Sequence, residues 1–523
     1  MSNRSPVPIA ETSFCSSSMT RKRLPVVASA FLVILFFLTA FPSFPAETPA
    51  LRDKPNIVLV ILDTVRKDYT GQSSTGEVFT PRLNKLAAEG TVFRNAWANA
   101  PWTTPSHASF FTGLLPSAHG CIAVGLHLAK EHATMAEILS ENGYETAAFF
   151  SNPCLTDSAS GVLRGFEYKR ETSLFDVNKP NLGAPGQIIV DPPPPLPPKV
   201  TQKRGDQGGE SSCKLASQWL SQRNRKKPFF LFVNILEAHL PYDPPASYRE
   251  KHLADLPPDD MVSVGWADKF NARLVPPDSV DWKRVHRLYR GDVSNADSLL
   301  GTILDALAAK GVYEDSIIIV ASDHGEQLGE HDLLGHQFSV YETLLAVPLI
   351  IRAPQRFPAG VRNEPVMLTD LFATILDLAG VAEAPRPKYS RSLLTLFDKS
   401  PSKAGESLLS RPIFSEYGAG EIFAEQMQKL NPKLDTKRFK TVYRTVRVGD
   451  MRLTLGSEGS VALYNMAKDP AQDKNVAKAK PDIVKADSAL LSEAIGKLTL
   501  SKEERKPMDK ETEEKLRSLG YIH

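Results

Sequence analysis

A chain of 523 residues has room for two to four domains, or for one large α/β domain with an appendage. Apolar residues make up 42% and charged residues 23%, which excludes disorder throughout; a net charge of +2 excludes a strong field for nucleic acid. The 4 cysteines fall in no CxxC or Cys/His group, which excludes a disulfide scaffold and a structural zinc module.

The chain opens with a polar segment, residues 1–23, that ends in Arg21-Lys22-Arg23. An uncharged apolar run from Leu24 to Phe41 follows, and Pro42, Pro45 and Pro49 break its continuation. A basic flank before an apolar run predicts a signal anchor or signal peptide over 24–44, with residues 1–23 cytoplasmic. Either way the bulk of the chain is expected outside the cytoplasm, membrane-anchored or exported to the periplasm or extracellular space. Phe44, three positions before Ala46, suits a signal peptidase poorly and favours the uncleaved anchor. Cys121, Cys154 and Cys213 lie beyond the run, and an odd number allows at most one bridge among them.

Several apolar runs then read as strands buried on both faces: Asn56–Leu62, Glu145–Phe150, Phe229–Ile235, Ser316–Ala321 and Pro348–Ile351. Helices are predicted between them. Pro81–Glu89 starts on Pro and stops at Gly90, Thr134–Glu141 ends before Gly143, and Val293–Lys310 carries one apolar stripe up to Gly311. The alternation predicts an α/β fold: a mostly parallel central sheet sandwiched by helices, over residues 54–385. A Pro- and Gly-rich insertion is expected at about 176–212, and a long loop over 255–284. Beyond about 385 the pattern changes. Arg411–Glu416, Thr445–Val448 and Met451–Leu455 read as short antiparallel strands, with a polar helix near Glu421–Lys429. Residues 386–523 are therefore expected to form a small α+β subdomain and tail, with Lys515–Ile522 as a docked helix end.

Asp63 follows the first strand directly, and Asp323-His324 follow Ser316–Ala321, so these groups emerge where open α/β sheets gather their functional residues. Carboxylates at the ends of two buried strands beside a histidine form a divalent-metal arrangement; the alternative is a pair of helix caps. The stretch Pro101-Trp102-Thr103-Thr104-Pro105-Ser106-His107 is dense in hydroxyls ahead of an apolar helix. It suits a nucleophile held in the positive end of a helix dipole, or equally a cap. His239 and His336 are candidates for substrate or metal contact. His331 reads as a loop residue and His119 as structural. Arg66 either holds a substrate anion or pairs with Asp68.

Taken together and in order, these segments resemble the sulfatase family of the alkaline phosphatase superfamily. NIVLVILDTVRKDY resembles its first strand and metal Asp, and TTPSHASFFTGLLPSAHG its nucleophile motif and following helix. FFLFVNILEAHLPYDPP resembles the strand ending in an HxPY element, and VASDHGEQLGEHDLLGH the second metal motif. LYNMAKDPAQDKNVA resembles the C-terminal strand and turn. The resemblance implies Thr103 as nucleophile in place of the Cys or Ser that becomes formylglycine. It also implies a divalent metal (Ca²⁺, Zn²⁺ or Mn²⁺) on Asp63, Thr103, Asp323 and His324, and catalytic support from His107, His239 and His336.

The departures are specific. His107 stands at the family's Arg, Phe150-Ser151-Asn152-Pro153 replaces the GKWH element, and Thr64 replaces the second Asp of an Asp-Asp pair. Thr nucleophiles are features of the superfamily's phosphodiesterases and phosphoethanolamine transferases. The expected activity is hydrolysis of a sulfate or phosphate ester of a small molecule, glycan or lipid. The alternatives are a phosphoethanolamine-type transferase, a phosphonate or phosphodiester hydrolase, and a catalytically silent binding protein.

Overall fold

The computed structural model describes residues 54–71, 76–172, 205–223, 226–257, 260–397, 411–418, 420–496 and 507–522. The basic segment, the apolar run Leu24–Phe41 and the Pro-rich stretch near 191–198 lie outside the described residues. Among the described residues no helix is long and apolar enough to cross a membrane.

The main sheet has 8 strands, named here in chain order: β1 (Asn56–Leu62), β2 (Thr91–Phe93), β3 (Glu145–Phe150), β4 (Tyr168–Glu171), β5 (Phe229–Ile235), β6 (Ser316–Ala321), β7 (Leu349–Arg352) and β8 (Gly360–Arg362). Their spatial order is β8-β2-β7-β6-β1-β5-β3-β4, and only β7 runs against its neighbours. The mostly parallel α/β sandwich expected from the sequence is therefore present. Its central strands are apolar without alternation because both faces are covered. Ile57, Leu59 and Ile61 of β1 pack into one core, and Val58, Val60 and Leu62 into the other. Each such side chain contributes roughly 1.5–3 kcal/mol on burial.

Three expectations are corrected. The long loop at 255–284 contains a helix, Val264–Asn271, whose Ala267 and Phe270 are buried. The helix expected from Val293 begins at Trp282, because Asp281 caps it by accepting from the Arg284 N–H at 3.1 Å. The insertion expected to run to 212 ends earlier, since a helix spans Gly209–Gln222.

Beyond residue 411 a second sheet of 4 antiparallel strands follows: β9 (Ile413–Tyr417), β10 (Tyr443–Val448), β11 (Met451–Gly456) and β12 (Val461–Asn465). A hydrophobic cluster joins it to the main body: Phe414, Val446, Leu453 and Leu463 share contacts with Trp97, Trp102 and Leu345. At this seam Arg411 donates to Asp370 Oδ1 at 3.0 Å and also bonds Oδ2, and both residues are buried. Removing one member of such a pair leaves a buried charge alone. Arg411→Ala should therefore lower stability by about 3–5 kcal/mol, read as a fall in the denaturant midpoint; a change below about 1 kcal/mol would show the pair to be dispensable.

Candidate active site

The parallel pairing of β1 with β6 sets Ile61 against Ala321. Two residues further along each strand, Asp63 and Asp323 lie side by side although they are far apart in sequence. Neither caps a helix. Asp63 continues the β1–β5 ladder by donating its N–H to Ile235 O at 2.9 Å. Thr64 turns the chain at φ +58°, and its N–H donates to Asp323 Oδ1 at 3.2 Å. Tyr289 holds this turn, donating to Thr64 O at 2.7 Å and accepting from Arg66 N at 2.9 Å.

Each carboxylate is half satisfied. Asp63 Oδ2 accepts from the amides of Asn152 (2.9 Å) and Asn234 (3.0 Å), while Oδ1 has no hydrogen-bond partner. Asp323 Oδ1 accepts from the N–H groups of Thr64 and His324, while Oδ2 has none. His324 Nδ1 lies 2.9 Å from Gly325 O; a carbonyl only accepts, so Nδ1 carries the proton and Nε2 presents a lone pair. Nε2 approaches Asp323 Oδ2 at 3.3 Å without making a hydrogen bond. Ligand atoms of the three residues all lie within 4.8 Å of one another, and all three residues are fully buried. Three converging acceptors with no donor among them fit a divalent cation.

The charges agree. Burial, then the neighbouring Asp323, pushes the Asp63 carboxyl up to about 7. Burial pushes Asp323 up to about 7 as well. His239 falls to about 3 and His336 well below its ordinary value, both chiefly through burial, so both rings are neutral at pH 7.

Thr103 is the first residue of the helix Thr103–Thr112. Trp102 occupies the cap position and makes no side-chain cap bond, so the Thr103 hydroxyl is not acting as a cap. Its Oγ1 accepts from Asn152 Nδ2 at 3.1 Å. The orientation of that amide follows from its other end, where Asn152 Oδ1 accepts the Cys154 N–H at 3.0 Å. Thr103 Oγ1 also lies 3.1 Å from the hydroxyl of Tyr521, and that hydroxyl lies 3.1 Å from His239 Nε2 and 3.3 Å from His336 Nε2. The rings of His239 and His336 are 4.8 Å apart, and those of His324 and His336 are 4.6 Å apart.

Asp63, Thr103, His239, Asp323, His324 and His336 are thus brought together at the carboxyl edge of the sheet. His107 borders this group: its Nδ1 lies 2.9 Å from Thr103 O and 3.5 Å from Asp323 Oδ2, while its ring packs on Phe110, Phe111 and Phe232. Arg66 makes ion pairs with Asp68 (2.7 Å) and Glu330 (2.6 Å), the pairing alternative extended to a second acid. His119 bonds Ser109 Oγ at 3.1 Å, and His331 stacks on Tyr341. Cys121, Cys154 and Cys213 are buried, with no disulfide among them. Sequence reasoning missed Asn152, Asn234 and Tyr521. Asn234 was visible as the one polar residue in FFLFVNI, and Asn152 as a polar residue just past β3.

The sulfatase family model matches residues 55–381, the span that supplies every one of these groups except Tyr521. The chain belongs to the sulfatase family. It is a hydrolase of that family, and it is 25% identical over 489 residues to mouse arylsulfatase K, covering 86% of this chain and 82% of the relative. The fold is shared with the phosphonate monoester hydrolase of Agrobacterium radiobacter at a TM-score of 0.63 and 21% identity, covering 87% of this chain and 100% of the other. It is shared also with a protein solved in complex with its substrate, D-glucosamine-2-N,6-O-disulfate, at a TM-score of 0.61 and 18% identity, covering 86% and 100%. Members of this sulfatase family generally use a divalent metal, in keeping with the three open acceptors.

A carboxyl whose pKa is raised in the folded state makes folding take up protons. Its stabilising effect is complete below about pH 4 and is lost as pH rises through about 7. Metal-free protein should therefore melt at a lower temperature at pH 8 than Asp323→Asn, with the gap narrowing towards pH 5. Added Zn²⁺, Mn²⁺ or Ca²⁺ should raise the wild-type melting temperature at pH 8 and leave the variant unmoved. Equal metal stabilisation of both proteins would remove Asp323 from the site.

Proposed function

We propose that this sulfatase-family hydrolase uses Thr103 as a covalent nucleophile on an anionic ester of phosphorus. The observation that carries this is the setting of Thr103 Oγ1: buried at a helix start, held by Asn152, with Asp63 on the same amide. Asp63, Asp323 and His324, joined by Thr103, would hold a divalent cation, which when bound lowers the pKa of the hydroxyl and offsets charge on the transferred group.

In this reading Thr103 Oγ1 attacks phosphorus in line. An O–P bond forms, the ester O–P bond breaks, and its electron pair leaves on the ester oxygen. His239 and His336, whose Nε2 atoms meet the Tyr521 hydroxyl beside Thr103 Oγ1, are the neutral bases that take up the proton Thr103 releases, and the leaving oxygen on the far side takes its proton from water. Water then attacks the phosphothreonine, Thr103 regains a proton and the acid is released.

Two features narrow the substrate. A sulfo group moved to an unmodified Thr would form a stable sulfothreonine, whereas a phosphothreonine is open to hydrolysis. The side chains of Thr103, His239 and His336 bond to Asn152, Tyr521, Glu326 and a backbone carbonyl, none of them cationic. A site poor in fixed positive charge favours a monoanion, such as a phosphodiester or phosphonate monoester, over a dianionic phosphate monoester. A second reading, cleavage of a sulfate ester, is favoured by the likeness to arylsulfatase K, and a sulfated sugar as its carrier by the fold shared with the protein bound to D-glucosamine-2-N,6-O-disulfate.

The test is a panel of aryl esters with Zn²⁺, Mn²⁺ or Ca²⁺. Diester and phosphonate turnover should exceed that of phosphate monoesters and sulfates. Thr103→Ala should remove turnover by a factor on the order of a thousand or more. Thr104, whose hydroxyl is engaged with Cys154, should tolerate Ala with a loss below about tenfold. Fastest turnover on sulfates, or a near-normal Thr103→Ala, overturns the assignment; silence on every ester points to a binding protein.

We also propose that residues 50–523 lie outside the cytoplasm, on the strength of Arg21-Lys22-Arg23 ahead of Leu24–Phe41. In a bacterial host, alkaline phosphatase fused after Phe41 should be active and β-galactosidase inactive; the reverse would refute this topology.

A further inference from the structure

Tyr521 comes from the far end of the chain and stands in the middle of the site. The helix Lys510–Ser518 leads to it, capped by Asp509, which accepts the Thr512 N–H at 2.8 Å. Lys515 is buried and bonds Glu171, the last residue of β4, at 3.0 Å. Gly520 then turns the chain inward at φ +78°, where a Cβ would lie 2.7 Å from Val264. The phenol enters beside Trp102, with ring centres 6.2 Å apart, and is fully buried.

We infer that this tail is a built-in stopper: Tyr521 holds the place of the transferred group, and an ester reaches Thr103 only when the tail withdraws it. The inference rests on Thr103 being the nucleophile. Attack requires the reacting centre at about 3–3.5 Å from Oγ1. The Tyr521 hydroxyl oxygen is already there, at 3.1 Å, and it engages the Nε2 atoms of both His239 and His336. On another side of Oγ1 stands Asn152, fixed by Asp63 and the Cys154 N–H. Thr103 is 0% exposed, and His239 and His336 are 1% exposed, so no tetrahedral group can enter past the phenol.

A fixed acid for the leaving group would stand elsewhere. In an in-line displacement the leaving oxygen is on the far side of phosphorus, on the order of 5 Å from the nucleophile. A donor to that oxygen would not lie in contact with Oγ1. The hydroxyl instead mimics a bound oxygen. Its hydrogen bonds to Thr103, His239 and His336 must be given up before substrate can make them.

Two measurements test this on the full chain loaded with metal. Inorganic phosphate should increase amide hydrogen exchange across residues 510–522 in the wild type, because it displaces the phenol. Tyr521→Phe, which keeps the ring and removes its hydrogen bonds, should bind phosphate about tenfold more tightly and raise kcat/KM on the preferred ester by about the same factor. Unchanged or reduced exchange in the tail, or a fall in kcat/KM in Tyr521→Phe, overturns the stopper. The exchange readout does not depend on turnover. Tail release by phosphate in a protein silent on every ester would therefore sink the proposed reaction and keep the stopper. Brisk wild-type turnover with an unmoved tail would do the opposite.

Discussion

Two carboxylates buried side by side are the constraint around which this structure is arranged. The register of β1 against β6 leaves Asp63 and Asp323 no other place to go. Burial without a counter-charge is costly, and both groups show it by holding protons near neutrality. The surrounding chain meets this cost on one side only. Two amides saturate one oxygen of Asp63 and two backbone N–H groups saturate one of Asp323. The open oxygens face each other and His324, so the fold is left incomplete in one direction, and the missing partner is positive.

That demand extends outwards. Thr64 must adopt a left-handed conformation to bring its N–H onto Asp323, at a cost on the order of 1 kcal/mol or more for a β-branched residue. Tyr289, on the long helix Trp282–Ala309, holds the turn through its hydroxyl. Asn152 links the carboxylate pair to the nucleophile, since the two hydrogens of one amide serve Asp63 and Thr103. A shift of the carboxylates would be felt at Thr103 through a single rigid group.

The strands were legible because their apolar runs lack alternation, and β1, β3, β5 and β6 carry the same boundaries in sequence and structure. Strand β7 is displaced by one residue. The metal pair was legible for the same reason, since an Asp that ends a buried strand has a fixed place. The start of the long helix was hidden because Trp282–Asp292 is rich in charge, and its apolar stripe is plain only from Val293. Asn152 was passed over because the expected residues at that point were a Lys and a His; an amide does their positioning without their charge. Tyr521 had no local signal at all. Its role depends on contacts with Thr103, His239 and His336, each distant in sequence.

The departures from the sulfatase pattern are coupled. An Arg at position 107 would place a guanidinium where the His107 ring packs on Phe110, Phe111 and Phe232. A neutral imidazole is tolerated there, and burial keeps it neutral by lowering its pKa to about 3. A guanidinium has no neutral form to retreat to. The aromatic wall and His107 therefore belong together, as do Asn152 and the absence of the Lys and His of GKWH. An Arg restored at 107 would stand beside the open Asp323 Oδ2, which lies 3.5 Å from His107 Nδ1, and would compete with a cation for that oxygen without recreating the family's usual site. The same neutrality makes room for an uncharged phenol against Thr103. A ring of fixed cations would hold an anion there in preference to Tyr521, and the tail could not compete for the position.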